Sequence, residues 1–143
     1  ATMVPERCVA YGDVRLLPGN SDKQVKLLIR EKLQFVKDLK YEIEDMLFVP
    51  AVEVEPKEEI VEVLADVARV VLGKRSANEG AGPWNDSWML IKRDIPTVCG
   101  FGPDGEGAHG PDEWVELESV RKVTEIYAKV AINYLGTTKG NQS

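Results

Sequence analysis

The second half of the chain carries one strand-like run, Ile95 to Phe101, among segments patterned as helices. A single short strand cannot form a sheet, because its backbone N–H and C=O groups need neighbouring strands to pair with. Its partners are expected from elsewhere, either from polypeptide outside these 143 residues or from another chain. The opening, Ala1-Thr2-Met3-Val4-Pro5-Glu6-Arg7, lacks an initiator Met and leads straight into strand-like sequence. Both features read as a fragment.

The remaining pattern predicts an α+β chain. Residues 7 to 16 alternate, with Cys8, Ala10, Val14 and Leu16 on one face, which predicts a strand. Pro18-Gly19-Asn20 is a turn, and Ser21 with Gln24 forms a capping box. Val25, Leu28, Ile29, Leu33 and Val36 follow at helical spacing and predict a buried face. Tyr41 to Val49 reads as another strand, completing a strand–helix–strand, two-layer unit over residues 7 to 49. Pro50 and Pro56 bracket a linker or hinge.

Pro56 opens the next helix, whose inner stripe is Ile60, Leu64, Val67 and Val71, and Gly73 ends it. Asn85 or Asp86 caps a short helix carrying Met89 and Leu90. The last helix runs from about Glu116 to Leu135, with Val120, Val123, Tyr127, Val130 and Tyr134 facing inward. Gly136 stops it, and Thr137 to Ser143 is a frayed tail.

Composition narrows the class. Apolar content of 43% with 29% charged residues fits a globular protein, and a net charge of −6 argues against a nucleic-acid partner. No apolar run is long enough to span a bilayer, and the start has no signal-peptide core. Cys8 and Cys99 lie far apart. They read as buried thiols of a reducing compartment, which points to the cytoplasm. Walker, dinucleotide and nucleophile-elbow motifs are lacking.

Chemistry concentrates in three places. His109, the only histidine, sits in a Gly- and Pro-rich loop beside Asp112 and Glu113. It is a candidate metal ligand or proton-transfer group, although the spacing by itself is a weak pattern that fits a surface loop histidine among solvated acids. One histidine cannot build a zinc site alone, since protein zinc takes three or four ligands. Arg15, two residues after Asp13, could grip a carboxylate through paired hydrogen bonds, or simply form an ion pair on a solvated face. Gly80-Ala81-Gly82-Pro83-Trp84-Asn85-Asp86 could hold an anion at a helix start, or be a loop with an ordinary N-cap. Trp84, Trp88 and Trp114 could wall a pocket or be packing.

In order, Val4-Pro5-Glu6-Arg7-Cys8, Asp13-Val14-Arg15 with Pro18-Gly19, Gly82-Pro83-Trp84-Asn85-Asp86, Ile95-Pro96-Thr97-Val98, Phe101-Gly102-Pro103 and Ala108-His109-Gly110-Pro111-Asp112-Glu113-Trp114-Val115 carry a resemblance. The chain resembles the di-zinc amidohydrolases that include acetylornithine deacetylase, succinyl-diaminopimelate desuccinylase, aminoacylase and glutamate carboxypeptidases. The resemblance covers nearly the whole chain.

It implies that residues 1–52 are the later part of a ferredoxin-like lid, or dimerisation, domain. Residues 53–143 would be the C-terminal segment of a zinc-peptidase-like α/β catalytic domain. By matching position, His109 would be the last metal ligand, and Arg15 would reach from the lid to the substrate carboxylate. Asn85, Asp86 and Gly102 would line the pocket. The family's His-x-Asp pair, Glu-Glu pair and remaining acidic ligand have no counterpart here. Thr2 stands where lids often carry Asn.

The resemblance implies two zinc ions in the complete enzyme, with cobalt or manganese possible. It also implies hydrolysis of N-acyl-amino acids or small peptides and a homodimer through the lid. The chain alone is expected to be inactive. The alternative is a non-enzymatic binding or dimerisation module on the same scaffold.

Overall fold

The computed structural model describes residue 3, residues 5–80 and residues 84–136. Four helices run in the order α1 (Asp22–Leu33), α2 (Glu59–Leu72), α3 (Ser87–Ile91) and α4 (Leu117–Leu135). A two-stranded antiparallel sheet, β1 (Gly105–Glu106) and β2 (Trp114–Val115), lies between α3 and α4 in sequence. The architecture is thus mixed helix and small sheet, compatible with an α+β class. The chain divides into two compact units at Val52/Glu53.

The first unit is built from local signals. Gly19 at φ 86 allows the turn in which the Asn20 amide donates to the Leu17 carbonyl at 3.0 Å. Ser21 then caps α1 as expected, its backbone N–H donating to the Gln24 side chain at 2.8 Å and its Oγ accepting from the Gln24 amide. Lys26 bridges Asp22, at 3.3 Å, and Asp45. The hydrogen bond to Asp45, then that to Asp22, raises the Lys26 pKa above its ordinary value.

Two expectations fail here. Neither residues 7–16 nor 41–49 form a ladder, so the strand–helix–strand unit and its two-layer, ferredoxin-like sheet are not seen among the described residues. The expected inner face of α1 is not buried either: Val25 and Leu33 are half-buried, while Leu28, Ile29 and Val36 are exposed. The physical reason is shared. Alternation makes a strand only when another strand accepts its hydrogen bonds, and an apolar stripe is buried only when something packs on it.

The second unit has a core. Val67 and Ala68 of α2 pack with Ile126 of α4, with Val63, Leu64, Val71, Leu72, Phe101 and Val130 around them. Ala68 and Ile126 are both 0% exposed, so the small alanine gives the larger isoleucine its room. Gly73, at φ 72, ends α2 by donating its amide to Arg69, as its left-handed conformation permits.

Of the expected inner face of α4, Val123 is buried and Val130 packs against the core, while the tyrosines turn away. Ser119, Val123 and Ile126 are buried, while Tyr127 and Tyr134 are exposed. The Tyr127 hydroxyl instead donates to the Phe101 carbonyl, and the two rings meet at 6.1 Å and 59°. Residues 95–101 run without a ladder partner among the described residues, so the predicted strand is not formed. Cys8, expected buried, is exposed, and Cys99 is half-buried; both are free thiols. The expected tail at 137–143 and Thr2 lie outside the described residues. No helix among the described residues is long and apolar enough to cross a membrane.

Candidate functional site

His109 stands at the turn of a hairpin. β1 and β2 pair antiparallel with Gly105 opposite Val115 and Glu106 opposite Trp114. At Gly105 the chains approach so closely that a Cβ would sit 2.3 Å from the Trp114 carbonyl oxygen, so glycine is required there. The Gly110 amide donates to the Gly107 carbonyl at 2.7 Å, closing a four-residue turn whose third residue is His109. His109 takes φ 66, a left-handed conformation that histidine adopts more readily than bulky residues do. Its backbone N–H donates to Glu113 Oε2 at 3.3 Å. The glycine-dense sequence therefore serves a tight hairpin that presents the imidazole at an exposed turn.

The base of that hairpin is fastened to α4. The Glu116 amide donates to the Asp104 carbonyl at 2.8 Å. The Asp104 amide donates to Ser119 Oγ at 2.9 Å, and Ser119 Oγ donates to the Glu116 carbonyl at 2.7 Å. Ser119 was not singled out by sequence reasoning. The signal that could have found it is a small hydroxyl residue three positions after the helix N-cap, on the same face as Val123 and Ile126.

The other candidates lie as follows. Arg15 belongs to the first unit, and its Nε pairs with Asp13 at 2.8 Å, both side chains largely exposed. Exposed pairs of this kind contribute about 0–1 kcal/mol. Asn85 and Asp86 precede α3, where Asn85 Oδ1 accepts from the Ser87 amide at 3.0 Å and from the Ser87 hydroxyl. Asp86 is the positional N-cap and makes no side-chain cap bond. α3 has five residues, too short to offer an anion site at its start, and Gly82 and Pro83 of that loop lie outside the described residues. Gly102 is exposed. His109 and Glu113 are joined by a hydrogen bond; Asn85 and Asp86 are neighbours in sequence.

An apolar cavity of about 250 Å³ lies between α2, α4 and the segment 96–101. Ile60, Leu64, Val98, Phe101, Tyr127 and Val130 line it, and none of the three tryptophans does. Trp88 is half-buried, and its Nε1 is buried without a hydrogen-bond partner among the described residues.

No group of three or more His, Cys, Asp or Glu side chains among the described residues is placed to hold a metal ion. Zinc in proteins takes three or four such ligands, so these residues by themselves do not fit a zinc centre. His109 can supply one imidazole.

No solved structure matches the chain. A protein-family model does, and over nearly its full length: residues 3–133 match Peptidase family M20/M25/M40. That span takes in the Asp13-Val14-Arg15 segment, the Phe101-Gly102-Pro103 segment and the His109 hairpin. By this match the chain belongs to peptidase family M20/M25/M40, a metal-dependent hydrolase lineage.

Proposed function

We propose that this chain is the C-terminal portion of a metal-dependent amidohydrolase that cleaves N-acyl-amino acids or small peptides. Residues 1–52 belong to a lid and residues 53–143 to the catalytic domain. His109 contributes one ligand to a zinc site, with cobalt or manganese as alternatives, and the other ligands come from outside these residues. Arg15 binds the substrate carboxylate, and Asn85, Asp86 and Gly102 line the pocket. The setting is cytoplasmic, and the lid carries a homodimer.

The carrying observation is the hairpin that holds the only histidine at an exposed turn in a left-handed conformation. Two others support a larger assembly around it. The apolar run 95–101 has no strand partner among the described residues, and the buried Trp88 Nε1 has no acceptor among them. One observation favours the second reading, a binding or dimerisation module: large apolar residues of the first unit such as Phe35 (80%) and Met46 (82%) are exposed.

The test compares this chain with the same chain joined to whatever coding sequence precedes it in frame. Alone, it should bind zinc weakly and leave N-acetyl- and N-succinyl-amino acids intact. Joined, it should hydrolyse one of them in a metal-dependent manner. His109→Ala should then lower metal affinity by more than the roughly 10–100-fold seen on losing an outer-shell partner. A joined protein whose metal binding ignores His109→Ala would sink the reading.

A further inference from the structure

We propose that Ser119 is a positioning residue for His109, acting through the base of the hairpin; this rests on the reading of His109 as a ligand. Ser119 is a buried polar residue, 7% exposed, on the inner face of α4. A buried hydroxyl needs partners, and both of those it has belong to the hairpin's two ends. It accepts the Asp104 amide, immediately before β1, and donates to the carbonyl of Glu116, immediately after β2. Asp104 and Glu116 are also bonded directly. Both arms of the hairpin are therefore gathered at one buried point on a helix that packs into the core.

The need for such a point follows from the size of the sheet. A ladder of two residues per strand is too short to fix its own register. Its tip contains a turn with positive φ at Gly107 and His109 and one backbone bond from His109 to an exposed carboxylate. The tip bonds shape the turn, and the placement of that turn, with His109 on it, is set from below, where Ser119 joins the hairpin to α4. Replacing Ser119 by alanine leaves the Asp104 amide without its acceptor, so that arm is held to the base of α4 only by the Glu116 amide on the Asp104 carbonyl.

The test is NMR on the full 143-residue chain, whose single histidine gives one unambiguous imidazole signal. In the wild type the Asp104 amide should be protected from exchange. In Ser119→Ala it should exchange about tenfold faster, the factor expected for one lost hydrogen bond. The His109 imidazole and amide resonances should move with it, while the Val123 and Ile126 amides stay protected. Ser119→Thr, which keeps the hydroxyl, should restore both signals.

An unprotected Asp104 amide in the wild type overturns the proposal. So does a Ser119→Ala variant whose Asp104 amide loosens while His109 is unmoved, since Ser119 would then be a local helix cap only. If Ser119→Ala unfolds α4, Ser119→Thr decides: wild-type His109 signals support the proposal and displaced ones overturn it. None of these readouts needs metal, so they stand apart from the metal test of His109→Ala.

Discussion

The two units of this molecule show how far local sequence signals carry a fold. Residues 3–52 contain a well-formed helix with a reciprocal cap and a glycine turn before it, yet none of their described residues is buried. Residues 53–136 have helix ends without side-chain caps at α2 and α4, yet they hold the core. Capping decides where a helix starts; it does not decide whether that helix is packed. The apolar stripe of α1 matches those of α2 and α4 in spacing, and what separates them is the presence of a facing helix.

The sharpest break of this comparison is a pair of truncations. Ile126→Ala removes a side chain that is 0% exposed at the centre of the α2–α4 contact. It should destabilise the second unit by about 2–5 kcal/mol, read as a fall in the urea midpoint. Leu28→Ala, at a residue 58% exposed on α1, should change stability by no more than about 0.5 kcal/mol. Comparable losses from both would mean that the first unit is packed after all.

A smaller effect separates the hairpin from the core beneath it. Gly105→Ala places a Cβ 2.3 Å from the Trp114 carbonyl, and relieving that overlap should cost about 1–3 kcal/mol. Hydrogen exchange should show faster amides in residues 104–106 and 114–116, with the α2–α4 core unchanged. Loss of protection throughout α4 would show instead that the hairpin is part of the core.

Next is the cap of α1. Ser21→Ala removes the acceptor of the Gln24 amide and should cost about 1 kcal/mol of helix stability. Because none of the first unit's described residues is buried, the loss should appear as lower helicity at 222 nm with an unchanged unfolding midpoint for the second unit. A matching fall in that midpoint would tie the two units into one cooperative transition.

What was legible in the sequence follows the same divide. The Ser21/Gln24 box, the Gly19 turn and the Gly73 stop are set by residues a few positions apart, and each formed as read. The strands expected at 7–16, 41–49 and 95–101 are not formed among the described residues, because alternation leaves open which neighbour supplies the hydrogen bonds. On α4 the aromatic rings of Tyr127 and Tyr134 drew the predicted inner face toward themselves. In the fold Tyr127 lies on the flank, its hydroxyl on Phe101, and the smaller Ser119 and Ile126 turn inward. At the site the sequence pointed to His109 and its glycines, but not to the buried serine beneath them.

The smallest effect expected is the pH response of α4, which sharpens the comparison because the first unit answers at the opposite end of the scale. Glu118 is held below its ordinary pKa by its hydrogen bonds to Arg121, at 2.7 and 3.0 Å. Glu125 is lowered by its hydrogen bond to Lys129, paired at 2.6 Å. A carboxylate with a depressed folded pKa adds stability above its unfolded value, roughly 4.3, and loses it as pH falls through the folded value. Lys26 runs the other way. Its raised pKa adds stability below the ordinary lysine value, and that is lost as pH rises through the folded one. The α4 groups lie at the surface and Lys26 is half-buried but open to solvent, so salt screens them, and the shifts should be slight and should shrink further at high ionic strength. Acid titration should therefore loosen α4. Alkaline titration should loosen α1. A helix α4 whose acid response is unchanged in Glu118→Gln with Glu125→Gln would show that its charges ride on the core without adding to it.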